Sequence, residues 1–189
     1  MKNKAIKYRI YPAENQVQLL SKTFGCCRFV YNRMLSVQKD LYTSQGLHLS
    51  KYDAFKYMTA NLKSQYQFLK EADSVALMNS VFDLDKAYTN FFSKRAAFPK
   101  FKSKHHISQS YTTNCINGNI AVLSKAIKLP KLGKVKASIH RLPNTDWILK
   151  YATVSKSSDG KYYVSIMFAF EENVRSISVV RKSQCIGLD

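Results

Sequence analysis

The sequence predicts an α+β fold, a β-barrel interrupted by a helical insertion, and three observations carry that prediction. Lys4 to Tyr11 alternates, with Ile6, Tyr8 and Ile10 on one face and Lys7 and Arg9 on the other, as in a half-buried strand. From Glu14 to Phe91 the apolar spacing changes to three or four residues, the period of amphipathic helices. Beyond Pro99 short strand-like runs return. A lone N-terminal strand needs partners, and these are abundant only after residue 115, so the helical block is read as an insertion between the first strand and its mates.

Pro12 ends the first strand. Val17, Leu20 and Phe24, then Gly25, then Cys27, Val30, Met34, Leu35 and Leu41 before Gly46 predict two helices joined at a glycine turn. Ser50 with Asp53 three residues on forms a capping-box pattern that starts a further helix, with Ala54, Tyr57 and Leu62 on one face. Leu77, Val81, Leu84, Tyr88 and Phe91 are spaced 4, 3, 4, 3, a stripe that reads as core packing. Strands are predicted at Ile120–Leu123, Ala126–Leu129 and Val135–His140, punctuated by Pro130 and Gly133. A hairpin pairs Ile148–Ser155 with Lys161–Phe170 across Ser157, Ser158, Asp159 and Gly160.

Charge says more about partners than about fold. The 189 residues carry 30 Lys+Arg against 12 Asp+Glu, a net +18. The sixty residues from Lys86 to Thr145 contain 12 bases and no carboxylate, whereas ordinary soluble surfaces intersperse both signs. Self-repulsion on that scale points to a polyanionic partner, and nucleic acid fits better than an anionic membrane because the bases are interleaved with strands and aromatics and do not line one amphipathic helix. No run approaches the roughly 18 apolar residues of a membrane span, and MKNKAIKYRIYP lacks a signal-peptide core, so a cytoplasmic protein is expected.

Cys26, Cys27, Cys115 and Cys185 form no CxxC, and His48, His105, His106 and His140 stand at no zinc spacing from them. The adjacent Cys26 and Cys27 read as small buried residues. There is no Ser/His/Asp arrangement, glycine-rich phosphate loop or HExxH.

Eight segments in order, KAIKYRIYP, TFGCCRFVYNRML, SVALMNSVFDLDKAYTNFF, FPKFKSK, SYTTN, KLPKLGKVK, ATVSKSSDGKYYVSI and IGLD, together resemble the N-terminal half of TnpB, the OrfB-type protein of insertion sequences. TnpB proteins are RNA-guided DNA endonucleases related to type V CRISPR effectors. The resemblance implies a wedge-type β-barrel, split between residues 1–12 and 99–182, with a helical recognition insertion over 13–98. Residues 183–189 then start a RuvC (RNase H-like) domain that is otherwise missing. IGLD places Asp189 as the first of three metal-binding catalytic carboxylates, served by Mg2+ in the intact family. A two-metal site needs several acids to hold ions roughly 3.5–4 Å apart. The other two are absent, and Glu171 and Glu172 follow a barrel strand, so no nuclease activity and no cofactor are expected of this chain itself.

The resemblance further implies guide RNA from the same element and double-stranded target DNA as partners. The bases expected to meet phosphates are Lys7, Arg9, Arg28, Arg33, Lys94, Arg95, Lys100, Lys102, Lys104, Lys128, Lys131, Lys134 and Lys136. In PKFKSK, Lys100, Lys102 and Lys104 alternate around Phe101, so three ammonium groups can point one way over a stacking ring. The family segments that read a short target-adjacent motif match Ser50–Lys56, Ser74–Ser80 and Tyr111–Ile116, although Ser74, Val75 and Met78 depart from the usual polar set. Tyr111 is a candidate for stacking and Asn114 for adenine contact, against the commoner structural roles of such residues. The CCRFVYNRML stretch is traditionally labelled helix-turn-helix. A true major-groove reader would expose Asn32, Arg33 and Gln38. The rival reading is a nuclease-less DNA- or RNA-binding transcriptional regulator derived from TnpB, and a third is a poorly folding relic with an apolar patch over Val174–Leu188.

Overall fold

The computed structural model describes residues 1–104 and 109–171. Its first strand, β1 (Lys2–Tyr11), lies at the centre of a seven-stranded sheet, and every pairing is antiparallel. The other strands are β2 (Gln109–Asn114), β3 (Ala121–Val122), β4 (Ala126–Leu129), β5 (Gly133–Ser138), β6 (Ile148–Lys156) and β7 (Tyr162–Phe170), in the spatial order β2-β6-β7-β1-β5-β4-β3. Alternation in β1 buries Ile6, Tyr8 and Ile10 and pairs the strand with β7 from Lys2 to Ile10, so the lone strand finds its mates at the far end of the chain. A second ladder joins Arg9–Tyr11 to β5. The ends of the sheet, β2 and β3, are linked by residues 115–120. There the Ile116 N–H donates to the Asn119 side chain at 2.8 Å and the Cys115 N–H to the Lys150 carbonyl at 2.8 Å. No ladder joins β2 to β3 among the described residues.

Between β1 and β2 the chain is helical. The expected turn at Gly25 does not form: α1 runs unbroken from Glu14 to Gln45. The reason was already in the spacing. Leu20, Phe24, Cys27, Tyr31 and Met34 keep one buried phase straight through Gly25, and a turn would have reset it. Glycine costs a helix interior about 1 kcal/mol, far less than unpacking that stripe. The true stop is Gly46, left-handed at φ 67°, whose N–H donates to the Tyr42 carbonyl at 2.9 Å.

Ser50 caps the next helix as its sequence predicts, accepting from the Asp53 N–H at 3.2 Å. Here α2 (Lys51–Tyr57), a π-helical turn (Met58–Leu62) and α3 (Lys63–Gln65) run on without a break, and Met58 and Leu62 are fully buried. A 3-10 turn (Gln67–Lys70) leads to α4 (Ser74–Phe92), which buries Ala76, Leu77, Ser80, Val81 and Leu84. Tyr88 and Phe91, the end of the predicted stripe, are only half-buried and pack edge-on against Phe98.

Helices and sheet share one hydrophobic core. Two polar devices lock them together. Asp73 caps α4, accepting from the Val75 N–H at 3.0 Å, and the same carboxylate accepts the Thr113 hydroxyl of β2. Gln16 at the start of α1 donates to the carbonyls of Leu132 and Lys134, at 3.1 and 3.0 Å, on the β4–β5 hairpin. Asp73 and Thr113 are both buried, so this contact sets how α4 sits on the edge of the sheet.

Candidate nucleic-acid interface

The sheet has one apolar and one open face, and five of its bases, Lys7, Arg9, Lys128, Lys134 and Lys136, lie on the open one. Register places Thr112, Thr153, Ser165 and Lys7 in one outward row across β2, β6, β7 and β1. The next row holds Ser110, Ser155, Tyr163, Arg9 and Ser138, and beyond it Tyr11 stands opposite Lys136. On the hairpin, Lys128 stands directly opposite Lys134. The seven strands together contain nine Lys or Arg and no Asp or Glu. Like charges directly opposite one another destabilise a ladder, so Lys128 and Lys134 are not there for the sheet's sake. Aromatic rings accompany the cations: the Lys7 ammonium lies 4.6 Å from the Tyr163 ring centroid and the Arg9 guanidinium 5.0 Å from that of Tyr11. Such a face combines phosphate-binding charge with ring faces on which bases can stack.

Of the residues singled out from the sequence, Lys7, Arg9, Lys128, Lys134 and Lys136 come together here, with Lys131 at the hairpin turn in a left-handed conformation (φ 65°). A second group forms around a cleft of about 490 Å³ between α1, α4, the 100–103 segment and β2. Arg28, Lys100 and Lys102 line it, over a floor of Phe24 and Tyr111. Lys94 and Arg95 follow the end of α4 and belong to neither group, and exposed Arg33 lies on α1 outside the cleft lining.

Several individual expectations change. Lys100, Lys102 and Lys104 do not present three parallel ammonium groups. The Lys102 backbone is clamped to α1 by both ends of the Asn32 amide, at 2.8 and 2.9 Å, which turns its ammonium onto the Tyr31 ring at 4.0 Å. Desolvation there holds the Lys102 pKa below the ordinary lysine value, opposed by nearby Asp83. Tyr111 is buried edge-on against Phe24, centroids 5.5 Å apart, so its ring belongs to the core and not to a stacking surface. Burial also drives its hydroxyl pKa upward. Asn114 accepts from the Asn79 amide at 3.2 Å, and that amide also donates to the Thr112 carbonyl at 2.8 Å, so the pair fastens α4 to β2. Asn32 and Gln38, the would-be groove readers, are likewise committed to backbone: Gln38 exchanges two bonds with Leu49, at 3.0 and 2.9 Å.

Sequence reasoning did not identify β2 as a strand or Asp83 and Ser110 as part of a cleft. The signal for β2 was weak, since QSYTTN has hydroxyls on both faces. His105, His106 and Asp189 lie outside the described residues, as does the Val174–Leu188 stretch. Among the described residues no group of three or more His, Cys, Asp or Glu could hold a metal ion, and no helix is long and apolar enough to cross a membrane.

Comparison with known proteins agrees with this geometry in family and qualifies it in label. Residues 1–46 match a family model described as a helix-turn-helix domain of OrfB proteins of the IS605 type, yet in this chain that stretch is a strand followed by one continuous helix. Two curated relatives bear the name "Putative RNA-guided DNA endonuclease". The one from Streptomyces pristinaespiralis is 31% identical over 170 residues, covering 87% of this chain and 41% of the relative. The other, InsQ of Escherichia coli K12, is 33% identical over 191 residues, covering 98% and 44%. The chain thus spans less than half the length of these two. Virulence protein VsdF of Salmonella dublin is 38% identical over 112 residues, covering 54% of this chain and 94% of VsdF. Among solved structures, a Cas12f1–sgRNA–target DNA complex aligns over 91% of this chain and 49% of its own, at 8% identity and a TM-score of 0.47. On the match at its N-terminus and the identity to these curated relatives, the chain belongs to the TnpB-type, OrfB family of insertion-sequence proteins.

Proposed function

We propose that this chain is the RNA- and DNA-binding part of a TnpB-type, RNA-guided DNA endonuclease, and that the open face of the sheet carries the guide RNA backbone. The observation that carries the reading is the sheet itself, nine bases and no acid over seven strands, with Lys7, Arg9, Lys128, Lys134 and Lys136 on one open face. The names of the two endonuclease relatives support RNA and DNA as the polyanions. In this reading the sheet is the wedge element, the helices from α1 to α4 are the recognition insertion, and Asp189 is the first carboxylate of a RuvC site that these residues do not complete. Binding is the property proposed for these residues. Lysines on strands neutralise phosphates and release counterions, which gives affinity with little sequence information. Selectivity for one RNA then has to come from shape and from the residues around the cleft.

The test is a salt titration of binding to the structured RNA transcribed from the 3′ end of the element, against an unrelated RNA of equal length. Selective binding that survives above about 0.2 M salt is expected, because purely phosphate-driven affinity falls steeply there. In the Lys134→Ala/Lys136→Ala variant, the slope of log K against log salt should lose about 1.4–1.8, two phosphate contacts. Equal, salt-labile binding to both RNAs, or an unchanged slope, refutes the reading.

A further inference from the structure

The cleft between α1, α4, the 100–103 segment and β2 contains charged groups that make no direct ion pair, although Asp83 lies close enough to Lys102 to favour its charge. Arg28 of α1 and Asp83 of α4 both line it, yet neither makes an ion pair or hydrogen bond with the other or with any other described residue. Lys100 at the rim is equally free of partners among the described residues. Opposite charges that face one cavity of about 490 Å³ without pairing leave room for something between them. Beneath them lie Phe24 and Tyr111, an apolar floor, and Phe101 stands at the mouth 55% exposed. On the side of β2 the lining includes Ser110 and Thr112, residues of the sheet's outward rows, so a strand lying on that face passes the mouth.

We infer that this cleft receives a single unpaired guanine base from the nucleic acid bound on the sheet. Guanine alone among the four bases carries two adjacent donors, N1–H and the N2 amine, on one edge and two acceptors, O6 and N7, on the other. A carboxylate accepts from the first edge and an arginine donates to the second, the latter being the commonest specific arginine–base contact. Asp83 and Arg28 supply that pair of groups, Phe101 offers a ring for stacking, and Lys100 reaches the flanking phosphate. Uracil, cytosine and adenine each leave Asp83 or Arg28 with a mismatched edge, and unmatched polar groups are what discriminate between ligands. The inference rests on the proposal that the sheet binds nucleic acid and adds to it a base-specific subsite.

The experiment measures fluorescence anisotropy of the whole chain with three labelled 12-nucleotide RNAs: oligouridine, the same with one central guanosine, and the same with one central adenosine. Wild-type protein should bind the guanosine oligonucleotide about tenfold more tightly than oligouridine, within the discrimination a good bidentate contact gives. The adenosine oligonucleotide should stay within about threefold of oligouridine, since adenine stacks as well as guanine but presents the wrong edge. In Asp83→Asn, a change at an exposed side chain, the guanosine-to-uridine ratio should fall to near one. In Lys134→Ala/Lys136→Ala all three affinities should drop together with the ratio kept. A wild-type ratio near one, an adenosine preference equal to that for guanosine, or an Asp83→Asn variant that keeps its ratio overturns the guanine site while leaving the sheet as an RNA surface. Failure of all three RNAs to bind overturns both.

Discussion

Removing one hydroxyl should loosen the joint between helices and sheet. In Thr113→Val the side chain keeps its shape and its place in β2, but Asp73 loses the hydroxyl it accepts from and retains only the Val75 N–H. Thr113 is fully buried and Asp73 is 7% exposed, so water cannot take the missing donor's place without rearrangement. A hydrogen bond to a charged group is worth about 1.5–3 kcal/mol, and the loss falls on a buried carboxylate, so about 2 kcal/mol is expected. For a chain of this size that lowers Tm by about 4–8 °C. Thr113→Ser, which keeps the hydroxyl and loses only a methyl, should cost about 1 kcal/mol. Asp73→Ala removes the helix cap as well and should cost more than Thr113→Val. In Asp73→Ala/Thr113→Val the two effects should fall short of additive by about the energy of the shared bond. Urea denaturation followed by far-UV circular dichroism measures all four. A Thr113→Val variant within 0.5 kcal/mol of wild type, or strictly additive effects, would refute the claim that this bond holds α4 on the sheet.

Two further changes test particular readings. Gly25→Ala should stabilise the protein by about 0.5–1 kcal/mol in the same urea assay, because the position is helical and nothing lies within 4 Å of the added methyl; destabilisation would mean that the chain turns there after all. Burial pushes the Cys27 thiol up to about 12 and raises the Tyr111 hydroxyl as well, so the folded state holds both protons more tightly than the unfolded chain does. Their contribution is complete below the ordinary thiol pKa near 9 and is lost as the pH rises toward 12. The urea midpoint should therefore fall between pH 9 and 11, and less steeply in Tyr111→Phe; an identical fall in both would show that Tyr111 does not contribute.

The parts of the fold that depend on period were legible in the sequence, and those that depend on polar partnership were not. The alternation of β1 and β7 and the stripe of α4 announce which face is buried, and the structure buries those faces. Gly25 is a local breaker set in a stripe that never loses phase, and the stripe decides the structure. β2 is not legible in the sequence because its place depends on Asp73 and Asn79, residues thirty or more positions away that satisfy its hydroxyl and carbonyl. The candidate site divides in the same way. A run of bases without acids is visible in any sequence, but which of them share a face is a matter of register, as with Lys136 opposite Tyr11 and Lys134 opposite Lys128. Asn32 and Gln38 looked like readers of DNA because nothing local shows that their amides are taken by Lys102 and Leu49.

The acids are sorted by layer, and that sorting bears on how a polyanion would lie. Seven of the 12 acids, from Glu14 to Asp85, fall in the helical block, while no strand among the described residues contains one. Several of those seven have structural partners: Asp73 caps α4, Asp53 takes part in the cap of α2, and Glu71 pairs with Lys22 at 2.6 Å. The same stretch, Glu14 to Asp85, holds eight Lys or Arg, so the helical layer is close to neutral and a nucleic acid is drawn more strongly to the acid-free sheet, which orients it without any base contact. Among the described residues Asp83 is the sole acid lining a cleft whose other charged groups, Arg28, Lys100 and Lys102, are all basic. A carboxylate in that position weakens phosphate binding, and a surface built only for affinity would do better with a neutral residue there. Its presence makes sense if the cleft has to recognise a donor edge, which phosphates lack and bases possess. The cost in general affinity and the gain in base selectivity are then two effects of one side chain, and replacing Asp83 by Asn should move them in opposite directions.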